Sequence, residues 1–333
     1  MLKIAVSLTP VFLFLLVLIF IDSYKLVKIP AVLMAIFAGV LSAFVCLLVN
    51  NLLLEYVLYD TVLYSRYLAP VVEESIKAIY LGWLLRTNRV GFMVDAAIYG
   101  FAIGAGFAFI ENIYYLQALT DTQLAIWFIR GFGTALMHGC TVAVFAIWAK
   151  GMLERHPKAF WRPLFTGLLI SIGLHALYNH FVLPPLLSTL SLLILLPIVI
   201  LFIFERSEKA TQNWLGIGFD SDVELLAMIE GGNIAETKIG RYLNTMKMHF
   251  PGELVVDMLC LLRLHLELAV RAKGILMLKK TGLPVQPDLE IREKFIEMRY
   301  LKKNLGKTGM LAIMPLLRTS SRDLWQIYML DKS

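Results

Sequence analysis

Glutamate and histidine side chains lie inside four of the most apolar stretches of this chain. They are Glu73, Glu74, Glu111, His138 and His175. An ionisable group at bilayer depth costs at least about 2.5–3.5 kcal/mol on insertion scales, so five of them would burden a simple scaffold. Carboxylates and imidazoles that face one another in a shared cavity can move protons, activate water or bind a metal ion. The sequence therefore predicts a chemical site between apolar helices.

The composition predicts an integral membrane protein. Hydrophobic residues make up 59% of the 333 residues, whereas soluble domains contain about 45–50%. The formal net charge is +6, which we attribute to Lys and Arg residues of cytoplasmic loops, so no nucleic-acid partner is predicted. Cys46, Cys140 and Cys260 are far apart and form no C-x-x-C motif. This argues against a disulfide framework and against a cysteine-rich zinc site.

We expect an all-α fold, a polytopic bundle with about seven membrane-spanning helices, each about 20 apolar residues long. The predicted spans are 4–21, 30–50, 67–86, 92–118, 125–149, 163–183 and 186–204. The third is the least apolar because Glu73, Glu74 and Lys77 interrupt it. The last begins after Pro184-Pro185, which is a natural break between two helices.

The charges of the short loops predict the orientation in the bilayer. Lys and Arg residues cluster in alternate loops, near 25–28, 86–89, 150–162 and 206–209. Because basic loops stay in the cytoplasm, we expect the N-terminus outside and the C-terminus inside. This orientation places the Glu and His residues at similar depth in the outer half of the bilayer.

The C-terminal part of the chain has a different character. Residues 1–204 form the predicted membrane bundle, and residues 205–333, which are richer in charge, form a predicted helical cytoplasmic domain that could bind a cytoplasmic partner. Ser221–Glu224 resembles a capping box that opens a helix. Residues 252–280 are apolar but carry charges throughout, so we predict an amphipathic helix and not an eighth span.

Spacing within the helices supports a shared site. His175 and Asn179 are four residues apart and share a helix face. Lys77 lies four residues after Glu73 and three after Glu74. Adjacent Glu73 and Glu74 point about 100° apart, so one is expected to face the site while the other pairs with Lys77 or with a neighbouring helix.

Four motifs follow one another on successive spans. Glu73–Lys77 reads E-E-x-x-K, Phe107–Asn112 contains F-x-x-x-E-N, His138 follows, and His175–Asn179 reads H-x-x-x-N. In this order they resemble the PrsW family of intramembrane proteases, relatives of the CAAX prenyl endopeptidases. The resemblance covers residues 67–183.

Two positions depart from the family pattern. The family often has Phe four residues before the fifth-span histidine, where this chain has Thr134. The last motif often ends in Asp, where this chain has Asn179. The second departure suggests that a neutral hydrogen-bond donor suffices at that position.

The resemblance implies an intramembrane endopeptidase whose partner is a membrane-protein substrate with a transmembrane helix. It suggests an anti-sigma factor as that substrate, cut in a site-1-type cleavage. It also implies the bacterial cytoplasmic membrane, and the orientation predicted from the loop charges places the site near the extracytoplasmic face. In the family, the first-motif glutamate and the histidines are held essential.

Peptide hydrolysis requires an activated water, a proton donor for the leaving amine and stabilisation of the oxyanion. We hypothesise that Glu73 is the base, with Glu74 left open as the other candidate, and that His138 helps to hold the water. His175 and Asn179 would donate to the oxyanion. The supporting residues are Lys77, Glu111, which would orient a histidine, and Asn112.

Other interpretations are left open. No cofactor is favoured, but Glu73, Glu111, His138 and His175 could bind zinc. An ion- or proton-coupled transporter would also place ionisable groups inside the membrane. A third alternative is a non-catalytic scaffold or receptor that signals through its tail, with the buried charges serving only to lock helices together.

Overall fold

Helices are the only regular secondary structure in the described part of the chain, as predicted. A computed structural model describes residues 2–22, 27–56, 60–118, 123–156, 159–281, 283, 289–317, 325 and 330. Its α-helices are α1 (Leu2–Ile21), α2 (Ile29–Tyr56), α3 (Thr61–Leu63), α4 (Ala69–Arg86), α5 (Met93–Ala118), α6 (Leu124–Phe128), α7 (Ala135–Arg155), α8 (Trp161–Asn179), α9 (Pro185–Glu230), α10 (Lys238–Met246), α11 (Gly252–Lys280) and α12 (Leu289–Ile313). It also contains two π-helical segments, π1 (Tyr64–Leu68) and π2 (Ile129–Thr134), and a 3-10 helix at Asn233–Glu236.

Several helices are suited to a membrane. Five of the described helical stretches are long and apolar enough to cross one, namely α1, α2, α5, the continuous run from α6 through π2 to α7, and α9. Helices α4 and α8 lie where the third and sixth spans are predicted. The total of seven spans and the orientation in the bilayer stay predictions.

The chain divides into two compact units, Met1–Glu208 and Lys209–Ser333, and the division falls within α9. The prediction that Ser221–Glu224 opens a helix is wrong, because α9 continues through it from Pro185 to Glu230. No proline lies between residues 205 and 222, so nothing in the sequence forces a break before the capping-box pattern. Helix α11 has the bounds predicted for the amphipathic helix and is not one of the candidate spans.

Helix α5 forms the centre of the first unit and is buried from Val94 to Ala108. Small residues allow this burial, because a Cβ atom on Gly100 would lie 2.6 Å from the Val142 carbonyl oxygen. A Cβ atom on Gly104 would lie 2.2 Å from the His138 carbonyl oxygen. The backbones of α5 and α7 are therefore in contact, which places the polar residues of the two helices within reach of each other.

The two π-helical segments precede the helices that carry the first and third motifs. Segment π1 leads into α4, and π2 leads into α7. A π-helical turn contains an extra residue, shifts the positions of the side chains that follow it, and often occurs at functional sites. Helix α1 packs closely on π2, since a Cβ atom on Gly131 would lie 1.9 Å from the Val6 carbonyl oxygen.

The second unit has its own apolar core, which is built around α11 and α12. A buried ion pair also lies in this unit, with Lys273 Nζ 2.6 Å from Asp222 Oδ2. The pair links the C-terminal part of α9 to α11.

Candidate active site

Helix α4 contributes a buried ion pair to the site. Lys77 Nζ donates a hydrogen bond to Glu74 Oε1 at 2.8 Å and lies 3.8 Å from Glu73 Oε2. The ammonium group also lies 3.9 Å from the centre of the Phe107 ring. Lys77 and Glu74 are almost completely buried. A charged pair in this environment is stable only when both groups have further partners.

His175 of α8 is one of those partners. Its Nδ1 lies 2.8 Å from Glu74 Oε1, and the Ser171 hydroxyl donates to Glu74 Oε2 at 2.7 Å. Because the carboxylate accepts this bond, Nδ1 of His175 carries a proton, and in the neutral imidazole Nε2 keeps a lone pair. Glu74 therefore orients His175 and fixes its tautomer.

His138 of α7 is held from both sides. Its Nδ1 lies 2.9 Å from Lys77 Nζ, and its Nε2 lies 3.0 Å from Glu111 Oε2. An ammonium group can only donate, so Nδ1 accepts and Nε2 donates to Glu111. The rings of His138 and His175 lie edge to face, with centroids 4.9 Å apart.

Arg130 of π2 secures the second carboxylate–histidine pair. Its Nη2 lies 3.4 Å from Glu111 Oε1, and its Nε donates to Asn112 Oδ1 at 3.0 Å. The guanidinium stacks 3.6 Å from the centre of the Tyr115 ring. Asn112 in turn donates to the Ser7 carbonyl of α1 at 2.9 Å. The supporting role predicted for Glu111 and Asn112 thus corresponds to one network joining α1, α5, π2 and α7.

Glu73 differs from the other two glutamates. Its Oε2 is buried and has no hydrogen-bond partner among the described residues. It lies 4.0 Å from His175 Nε2, the nitrogen that carries a lone pair. Glu74 and Glu111 each accept hydrogen bonds from a histidine and pair with a cation. A buried polar atom without a partner marks a catalytic role or the position of a water or an ion.

Asn179 lies apart from this network in its described contacts. Its Nδ2 donates to the carbonyl oxygen of Ser65, in π1, at 2.9 Å. Asn179 is one helical turn beyond His175, yet its amide donor is occupied by the backbone of the chain. Its predicted role as an oxyanion donor is not seen in this arrangement.

Three residues could hold a metal ion. One ligand atom from each of Glu73, His138 and His175 lies within 4.8 Å of the others. Carboxylate and imidazole ligands suit zinc, and carboxylates that orient the histidines are usual in zinc sites. The residue types therefore fit the group, although both nitrogens of His138 are engaged in the described contacts. Glu111, also proposed as a ligand, instead bonds to His138.

The comparison with known families covers the part of the chain that carries the Glu and His residues of the site. A sequence model described as the PrsW family intramembrane metalloprotease matches residues 28–204, more than half of the chain. This chain belongs to the PrsW family. The predicted resemblance is confirmed, and the match extends beyond residues 67–183 on both sides. Neither the curated proteins nor the solved structures compared with the chain gave a match.

Membership in the PrsW family makes the chain an integral membrane protein and an intramembrane protease. The match includes α4, α5, α7 and α8, which carry the polar residues. The part of the chain after residue 204, with the whole of the second unit, lies outside it.

Sequence reasoning missed several members of the network. Ser171 lies one turn before His175, so its spacing could have placed it on the same helix face. Arg130 lies on the same predicted span as His138, and the structure shows it paired with Glu111. Phe107 is part of the F-x-x-x-E-N motif, but nothing in the sequence indicates that its ring faces Lys77.

Proposed function

We propose that this protease hydrolyses a peptide bond of a membrane-embedded substrate with Glu73 as the base. The observation that carries the proposal is the buried Oε2 of Glu73, which has no hydrogen-bond partner among the described residues and lies 4.0 Å from His175 Nε2. Glu74 is fully committed to Lys77, His175 and Ser171. Of the two adjacent glutamates, Glu73 is therefore the one with a lone pair available for water.

The neighbouring residues support each step of this reaction. His175 Nε2 can accept a hydrogen bond from the attacking water, which Glu73 then deprotonates. The proton on Glu73 later passes to the leaving amine. Lys77 uses two of its N–H groups on Glu74 and His138, and its third can stabilise the developing negative charge on the carbonyl oxygen. His138 is a positioning residue that holds Lys77 in place.

A zinc-dependent reaction is the second candidate, favoured by the family description and by the proximity of Glu73, His138 and His175. Bound zinc would supply a polarised water molecule at neutral pH. Glu74 would still orient His175, and Glu111 would still orient His138. We favour the metal-free reaction because the Lys77 ammonium already engages His138 Nδ1 and leaves that histidine no free lone pair.

The proposed substrate is a single-span or membrane-tethered protein that is cut near the extracytoplasmic face of the bacterial cytoplasmic membrane. The alternation of basic loops supports this location of the site. An anti-sigma factor is the substrate suggested by the PrsW family. The second unit, on the cytoplasmic side in this orientation, would bind a cytoplasmic partner.

A cleavage assay separates this proposal from a transporter or a non-catalytic scaffold. A panel of single-span membrane proteins, tagged at both ends, is co-expressed with the wild-type chain, with Glu73→Gln, or with Glu55→Gln as a control on the exposed end of α2. We expect a shortened fragment with the wild type and the control, and none with Glu73→Gln. Equal cleavage by Glu73→Gln would contradict the proposal.

A further inference from the structure

Segment π1 is hydrogen-bonded to one helix on each side, α2 and α8. On one side the Tyr64 hydroxyl donates to Asn50 Oδ1 of α2 at 2.7 Å, and on the other Asn179 of α8 donates to the Ser65 carbonyl at 2.9 Å. The Tyr67 ring also packs edge to face on His180, just after α8, with centroids 4.8 Å apart. The segment is thus held between α2 and α8, immediately before the helix that carries Glu73.

The Asn179 amide donates to a backbone carbonyl, and a protease must bind the same kind of group in its substrate. Asn179 shares a helix face with His175, whose Nε2 faces Glu73. We propose that the Ser65 carbonyl accepts the Asn179 hydrogen bond in place of a carbonyl of the substrate peptide. A substrate segment in extended conformation reaches the site by displacing π1 from α2 and α8.

This inference rests on the proposed function, and it reconciles the H-x-x-x-N motif with the observed contact of Asn179. In the described arrangement the amide is occupied by the chain's own backbone. When π1 moves away, the amide becomes free to donate to the substrate. The Tyr64–Asn50 hydrogen bond stabilises the occupied state, so weakening that bond favours the open state.

A native cysteine reports on this opening. Cys46 lies one helical turn before Asn50 on α2, is buried, and packs with Phe107 beside Val72 and Ile76 of α4. Release of π1 from Asn50 exposes the adjacent side of α2 to water. The rate at which a water-soluble maleimide modifies Cys46, in a Cys140→Ser/Cys260→Ser background, therefore measures the opening without any substrate.

The test compares variants that break the Tyr64–Asn50 bond with a matched control. Tyr64→Phe removes the donor and keeps the ring, and Asn50→Ala removes the acceptor. Tyr67→Phe deletes a hydroxyl from the same segment, and that hydroxyl has no hydrogen bond among the described contacts. We expect Tyr64→Phe and Asn50→Ala to raise both Cys46 labelling and kcat/KM about fivefold, the effect of one hydrogen bond on an opening equilibrium. Tyr67→Phe should match the wild type.

If Cys46 labelling and cleavage in Tyr64→Phe and Asn50→Ala do not exceed those of Tyr67→Phe, the inference is overturned. Faster labelling without faster cleavage would also overturn it, because π1 would then open without controlling access to the site. If one variant fails to fold, the other breaks the same bond from the opposite side. Failure of the proposed function is seen separately, as wild-type protein that cleaves nothing in the substrate panel.

Discussion

The molecule contains two buried lysine–carboxylate pairs that are nearly alike. In the first unit, Lys77 Nζ lies 2.8 Å from Glu74, with side chains 0% and 1% exposed. In the second unit, Lys273 Nζ lies 2.6 Å from Asp222, with side chains 0% and 2% exposed. Each pair joins residues whose burial would be costly if either partner stood alone.

Their surroundings differ. The second-unit pair lies near the Trp214 ring, 5.1 Å from Lys273, and beside a small cavity lined by five apolar residues, Asp222 and His265. The first-unit pair is bonded to two histidines and lies beside a third group, the Glu73 carboxylate, whose Oε2 is 3.8 Å from Lys77 Nζ. A buried ion pair alone indicates a structural link, whereas two histidines in direct contact with the pair indicate chemistry.

The largest difference is expected when a histidine of the first unit is truncated. His175→Ala removes the imidazole that faces Glu73, and we expect cleavage to fall about 10²–10⁴-fold, the usual contribution of a positioned proton-transfer group. His156→Ala, at the exposed C-terminal end of α7, is the control, since its side chain has no hydrogen bond among the described contacts. Equal losses in both variants would indicate a general structural effect.

The second-unit pair should affect stability without affecting chemistry. Asp222→Asn leaves Lys273 buried without its ionic partner, which costs about 3–5 kcal/mol in the free energy of unfolding. Thermal unfolding should detect this loss, while the folded fraction should cleave substrate at the wild-type rate. A specific activity that falls as far as that of His175→Ala would show that the two regions are not distinct in function.

The contact between α5 and α7 gives a smaller expected effect. Gly104→Ala adds a methyl group that would lie 2.2 Å from the His138 carbonyl oxygen. Overpacking of this kind lowers the free energy of unfolding by about 1–3 kcal/mol. The helices must separate, so Glu111 moves relative to His138 and cleavage declines. Gly173→Ala is the control, because a Cβ atom at Gly173 meets no described atom within 4 Å. Unchanged cleavage and stability in Gly104→Ala would contradict the tight contact.

The smallest effect is expected from metal removal. In the metal-free reaction, treatment of the purified protein with a chelator leaves the rate within about twofold, because Glu73 itself activates the water. Metal content is measured by mass spectrometry on the same sample. Activity that disappears with a stoichiometric metal and returns with added zinc would instead establish the zinc-dependent reaction.

The sequence predicted the residues of the network better than their contacts. Motif order and helical spacing identified the main residues of the network, because periodicity determines which residues share a face of a helix. They are Glu73, Glu74, Lys77, His138 and His175. Periodicity does not determine the partners of a side chain across helices. The choice between Glu73 and Glu74 therefore required the hydrogen bonds of the structure.

Other features had no clear signal in the sequence. The π-helical segments change the register of α4 and α7 by local backbone geometry, which residue types did not reveal. The bond from Asn179 to Ser65 joins residues far apart in the chain. The pattern at Ser221–Glu224 predicted a helix start, but a capping-box sequence can also lie within a helix when no breaker precedes it.

The most direct test of the account compares Glu73→Gln with Glu74→Gln in the same cleavage and thermal-unfolding measurements. We predict that Glu73→Gln abolishes cleavage and costs less stability than Glu74→Gln, because Glu73 Oε2 lies 3.8 Å from Lys77 Nζ and has no hydrogen-bond partner among the described residues. Glu74→Gln should lower stability, since it breaks the ion pair with Lys77. Full cleavage by Glu73→Gln, with the loss confined to Glu74→Gln, would contradict the assignment of Glu73 as the base.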